Sequence, residues 1–103
     1  MVQFVHPGKD DITLSGVLEA LSDPMRLRIV KLLAGREGCM SCTAASPCPD
    51  IAKSTLSYHF RALRQAGLIH TEKRGVEHRN VLREADLDAR FPGLLAAILK
   101  FAE

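Results

Sequence analysis

Three cysteines fall within ten residues, in the stretch CMSCTAASPC at 39–48. Cys39 and Cys42 stand in a C-x-x-C spacing, and Cys48 follows between Pro47 and Pro49. Three thiolates can hold a soft metal or a metalloid such as arsenite, or supply most of a zinc shell. Zinc would want a fourth ligand, and the histidines within reach by sequence are His59, expected to be buried, and His6 on the N-terminal arm. Without a metal, two of the thiols can join as a disulfide or be capped by an electrophile. Arg36 would favour a thiolate there and Glu37 would oppose it. The third reading is that the cysteines are small apolar packers. These three readings stay open.

A second set of chemistry-bearing residues lies downstream. From Lys53 to Arg79 there are six basic side chains against two acidic ones, in a chain whose net charge is only +2. Within 52–66, a period of 100° per residue places Leu56, Phe60 and Leu63 on one side. Ser54, Ser57, Tyr58, Arg61 and Gln65 fall on the other. Hydroxyls, an amide and a guanidinium on one exposed helix face can bond phosphates and base edges, with Thr55 alongside and Lys53 and Arg64 at the flanks. Lys73, Arg74 and Arg79 fall in a following hairpin, where they would meet the minor groove or the backbone.

The remaining chain must position these groups. Its 103 residues are expected to form a single domain, 1–103, burying roughly two-thirds of its unfolded surface. No apolar run approaches the roughly 18 residues of a membrane span, and nothing resembles a signal peptide. The expectation is a cytoplasmic chain with no membrane partner. The stripe Leu14, Val17, Leu18, Leu21 predicts a first helix over about 10–22, with Asp10 and Asp11 at its N-terminus. Asp23, Pro24 and Gly35 read as cap, first position and stop of the next helix. Its core face holds Met25, Ile29, Leu32 and Leu33, widened by Leu27 and Val30, with Arg26, Arg28 and Lys31 pointing elsewhere. Thr43–Ala45 could complete a short helix before the prolines stop it. Gly67 ends the 52–66 helix, and two short strands over about 68–83 meet at Arg74-Gly75-Val76. A short helical step at 85–90 leads to a final helix over about 92–102. That helix is apolar nearly all round, which predicts a homodimer interface built from Leu14, Val17, Leu18, Leu94, Leu95, Ile98 and Leu99.

The fold class is therefore mainly α with a small β-hairpin: a winged helix-turn-helix, with the helix-turn-helix at about 39–66 and the wing at about 68–83. At this point the chain also resembles a family. The combination DP-x-R-L-x-I-x-x-L-L at 23–33 with S-T-L-S-x-H at 54–59 is similar to the ArsR-type winged-helix repressors. The likeness spans about residues 14–83. It implies a homodimer on double-stranded operator DNA, repression by the apo or reduced form, and release by an inducer. It also makes Ser54, Thr55, Ser57 and Tyr58 the reading part of the recognition helix, with His59 packed inward.

Three departures stand out. Ala52 occupies the usual capping serine position, which would move the cap to Asp50 or Ser54. The stretch before the recognition helix is longer than usual and holds two prolines. The family's Cys-x-Cys is here C-x-x-C, and the last-helix zinc set lacks a histidine, with Asp86 and Asp88 present but Lys100 and Phe101 where one is wanted. A winged-helix protein-interaction module using the apolar last helix is the alternative reading. A small thiol oxidoreductase is disfavoured, because no strand precedes Cys39.

Overall fold

The computed structural model describes residues 4–34, 40–41, 51–75 and 77–102; Met40, Ser41, Arg74 and Glu77 are described by their backbone. The chain starts with an extended arm that enters a 3-10 turn at Lys9–Asp11. The two aspartates belong to this turn and not to the first helix, which corrects the expected start. The reason is Ile12, which is buried in the core and needs extended backbone (φ −73°, ψ 126°) between the two elements. Helix α1, Leu14–Leu21, is capped by Thr13, whose hydroxyl accepts the Gly16 N–H at 3.1 Å.

Helix α2, Pro24–Ala34, follows after two residues. The Asp23 carboxylate accepts the backbone N–H groups of Met25 (2.8 Å) and Arg26 (3.2 Å), and Pro24, which has no N–H to satisfy, takes the first helical position. Asp23→Ala is expected to cost about 1 kcal/mol, and Asp23→Asn far less, because the amide oxygen still accepts. Urea denaturation measures both, and equal losses would count against the cap. Ile29, Val30 and Leu33 are the buried face of α2, while Met25, Leu27 and Ala34 pack at its margin.

Strand β1, Met40–Ser41, was not foreseen. It pairs antiparallel with a later strand, Met40 opposite Asn80 and Ser41 opposite Arg79. The thiols Cys39, Cys42 and Cys48, the possible short helix at 43–45, and Asp50 as a cap lie outside the described residues.

Helix α3, Lys53–Ala66, has 14 residues and is about 21 Å long. Its N-cap is Ala52 itself, with no side-chain cap bond. Leu56, His59, Phe60 and Leu63 are buried beneath it. Strands β2 (Ile69–Arg74) and β3 (Glu77–Leu82) form the hairpin, in register from Ile69 opposite Leu82 to Arg74 opposite Glu77. Gly75 at the turn has φ +61°, a left-handed value that suits glycine. The sheet order is β1-β3-β2, so β2 is an edge. Helices α4, Glu84–Arg90, and α5, Leu94–Phe101, close the chain. Arg90 Nη2 donates to Ile12 O at 2.7 Å, and Lys31 Nζ donates to Ala102 O at 2.6 Å, tying both ends to the core.

Candidate nucleic-acid interface

The buried side of α3 fixes which side faces out. Phe60 and Leu63 are almost fully enclosed, whereas Lys53, Ser54, Thr55, Ser57, Tyr58, Arg61 and Gln65 are exposed. Seven of the eight predicted helix residues are thus solvent-exposed, with Ser54, Ser57, Tyr58, Arg61 and Gln65 forming one row. Arg64 is the exception in kind. It is half-buried, with its guanidinium 4.6 Å from the centre of the Phe4 ring.

His59 packs inward, as its place beside Leu56 predicts, and is 8% exposed. Its Nδ1 lies 3.4 Å from Arg26 Nη1, and Arg26 Nε donates to Ala20 O at 2.7 Å. A guanidinium only donates, so His59 Nδ1 is the acceptor. Arg26 therefore does not point elsewhere. It clasps the end of α1 to the middle of α3 and holds the exposed face in a fixed orientation.

The wing lies beyond Gly67, with Lys73 exposed and Arg74 placed by its backbone at the end of β2. Arg79 is not at the wing tip. It sits half-buried in the middle strand, between Ser41 and Glu72 in register.

Residues that sequence reasoning valued little sit beside this surface. Phe4 packs edge-on against His78 at 4.9 Å, and His6 stacks on His70 at 4.2 Å. Thr71 N donates to His6 Nε2 at 2.9 Å, which engages one of the two ring nitrogens. The sequence sign for them is two aromatic rings, Phe4 and His6, just ahead of Pro7. Asp86 is engaged by Arg83 at 2.9 and 3.1 Å. Among the described residues, no group of three or more His, Cys, Asp or Glu side chains could hold a metal ion.

The predicted dimer surface divides in two. Leu14 and Leu18 are 46% and 47% exposed, and Leu94, Ile98 and Leu99 are half-buried. Val17 and Leu95, at 1% and 7%, are already enclosed by the protomer's own core and leave that surface. Among the described residues, no helix is long and apolar enough to cross a membrane.

A helical pair carrying an exposed polar α3, followed by a basic hairpin, is the architecture of a winged helix-turn-helix DNA-binding domain. Residues 21–72 match the family model for a helix-turn-helix domain. An uncharacterized HTH-type transcriptional regulator of Bacillus subtilis, YceK, is 37% identical over 91 residues, spanning 86% of this chain and 89% of that protein. The arsenical resistance operon repressor of Staphylococcus xylosus is 37% identical over 75 residues, 73% of this chain and 70% of the repressor. A homodimeric winged helix-turn-helix DNA-binding domain from Mycobacterium bovis superposes with a TM-score of 0.65 at 25% identity. That match covers 84% of this chain and 78% of the other. The chain belongs to the ArsR-type winged helix-turn-helix transcriptional regulators, a family of DNA-binding proteins and not of enzymes.

Proposed function

We propose that this chain is a sequence-specific repressor that binds a palindromic operator as a homodimer, with α3 in the major groove and the wing on the adjacent backbone or minor groove. The observation that carries this reading is the exposed row Ser54, Ser57, Tyr58, Arg61 and Gln65 on a helix whose other side is locked into the core. Arg61 and Gln65 reach furthest and suit base edges, while Lys53 and Lys73 suit phosphates. A two-fold dimer would set its half-sites about one helical turn, roughly 34 Å, apart.

Fluorescence anisotropy on the DNA upstream of its own gene, against random DNA at several salt concentrations, tests the reading. Arg61→Ala is expected to cost about 1–3 kcal/mol on operator and little on random DNA. Lys73→Ala should weaken both alike and lower the salt slope by about one. Equal losses on both DNAs for both variants would count against it.

Release by an inducer belongs to the same proposal. Cys39 and Cys42 flank β1, whose two residues pair with Asn80 and Arg79 of the wing's middle strand. Thiol modification or capture of a soft metal or metalloid beside β1 would pull on that strand. The likeness to a repressor of an arsenical resistance operon supports the metalloid form. Anisotropy of reduced, metal-free protein against mildly oxidised and arsenite-treated samples separates the two.

A further inference from the structure

Edge strands expose unpaired N–H groups unless something covers them. Here β2 is one of the two edges, and the arm at residues 4–7 packs on it. Buried Thr71 turns its N–H outward to His6 Nε2 at 2.9 Å, while its hydroxyl donates to Asn80 Oδ1 at 2.7 Å within the hairpin. Around that bond the arm touches every element that would meet DNA. Phe4 lies under the Arg64 guanidinium of α3 and edge-on to His78 of β3, and His6 stacks on His70 of β2. At the base of the hairpin, Arg83 Nη1 donates to Pro7 O at 2.8 Å.

We propose that residues 4–7 are a strap that holds the wing at a fixed angle to the recognition helix, clasped by neutral His6, and that protonation of His6 opens the strap and weakens operator binding. The operator half of this rests on the DNA-binding reading above.

The clasp works in one protonation state. With Nε2 accepting from Thr71, the single ring proton sits on Nδ1. An imidazolium donates from both nitrogens, so its Nε2–H would face the Thr71 N–H head-on. The surroundings also oppose the charge. Arg61 and Arg64 approach from α3, His70 from β2, His78 through Phe4 from β3, and Arg83 from the hairpin base. The Arg83 guanidinium is itself paired with the Asp86 carboxylate at 2.9 Å. Burial first, then His70, Arg83 and Arg64, lowers the His6 pKa below its ordinary value of 6.5. A lowered folded-state pKa means that the strap's stability is complete above 6.5 and is lost as pH falls through the folded value.

The first test needs no DNA. Amide NMR spectra of the full chain, followed from pH 7.5 to pH 5, should show the Thr71 N–H shifting with a midpoint below about 6.5. His6→Gln keeps an acceptor but has no proton to gain, so the part of the Thr71 shift that wild type shows and the variant lacks belongs to His6. Operator binding is then compared between the two chains, both of which retain His70 and His78. Their affinities should match at pH 7.5, and wild type should fall behind by about three- to tenfold once the pH lies below the wild-type Thr71 midpoint, the worth of one hydrogen bond. Phe4→Ala, which frees the arm from α3, should weaken operator binding already at pH 7.5. A Thr71 amide that ignores pH in a chain that binds operator overturns the strap alone. A titrating Thr71 in a folded chain that binds no DNA overturns the DNA-binding reading, and with it the regulatory half of the proposal.

Discussion

Gly67→Ala should lower stability by roughly 2–4 kcal/mol, two separate costs acting at one atom. Gly67 ends α3 with φ +85°, its N–H bonding back to the carbonyls of Leu63 and Arg64. Leu68 N also bonds to Leu63 O, at 3.0 Å. Any L-residue is strained in that left-handed conformation, by about 1 kcal/mol. The second cost is steric. A Cβ here would lie 2.5 Å from Ile12 Cγ1 and 2.8 Å from Cδ1. Ile12 cannot swing away easily, since it is 1% exposed and its carbonyl holds the Arg90 guanidinium. Gly75→Ala is the internal control, with φ +61° but open space around the added carbon. It should cost only the conformational term, about 1 kcal/mol. Thermal and urea denaturation of both variants give the comparison; if the two losses agree within about 0.5 kcal/mol, the Ile12 clash is not real. The effect should extend to function. The same cap sets the angle between α3 and the wing, so Gly67→Ala is expected to lose operator affinity even at temperatures where it remains folded.

That glycine was readable in advance, and it shows which features sequence exposes. The 52–66 periodicity, the Gly67 stop, the hairpin and the inward His59 all follow from local chemistry repeated at a fixed period. What could not be read depends on partners distant along the chain. Strand β1 is two residues long and exists because Asn80 and Arg79 lie opposite it. Two residues carry no period. By sequence Arg26 points away from the core face of α2, because its position is off the apolar stripe. Its long side chain instead reaches back to Ala20 O and across to His59. The arm shows the same limit most clearly: nothing local in Phe4 and His6 announces Arg64, Thr71, His70 and His78 as their partners. Position along a helix was legible; reach across the fold was not. The start of α1 failed for a different reason. Two aspartates before an apolar stripe are a fair helix-start signal, but Ile12 had to enter the core first, and Thr13 took the cap.

Leu14→Glu combined with Leu18→Glu should convert the protein to a monomer and lower operator affinity by about a hundredfold or more. The two leucines lie four residues apart on one face of α1, each about half exposed in the protomer at 46% and 47%. Phe101, 79% exposed at the end of α5, and half-buried Leu94, Ile98 and Leu99 offer more apolar surface. If two copies cover that surface, each added carboxylate must be buried without a partner, which dissociates the pair. The loss on DNA then follows from effective concentration. In a dimer, the second half-site is bound intramolecularly, a gain of about 10²–10⁴ that a monomer forfeits without losing any contact to its own half-site. Affinity for an isolated half-site should therefore change little. Val17 is deliberately left intact, since it belongs to the protomer core and its replacement would confuse unfolding with dissociation. Because Leu14 and Leu18 are not core residues, far-UV circular dichroism of the variant should be native-like, and Ala85→Glu on exposed α4 serves as a charge control. Light scattering reads the oligomeric state and anisotropy reads the affinity. A variant that stays dimeric excludes the α1 face as the interface. A monomer that binds the full operator as tightly as wild type would mean that the two half-sites are not read by one dimer.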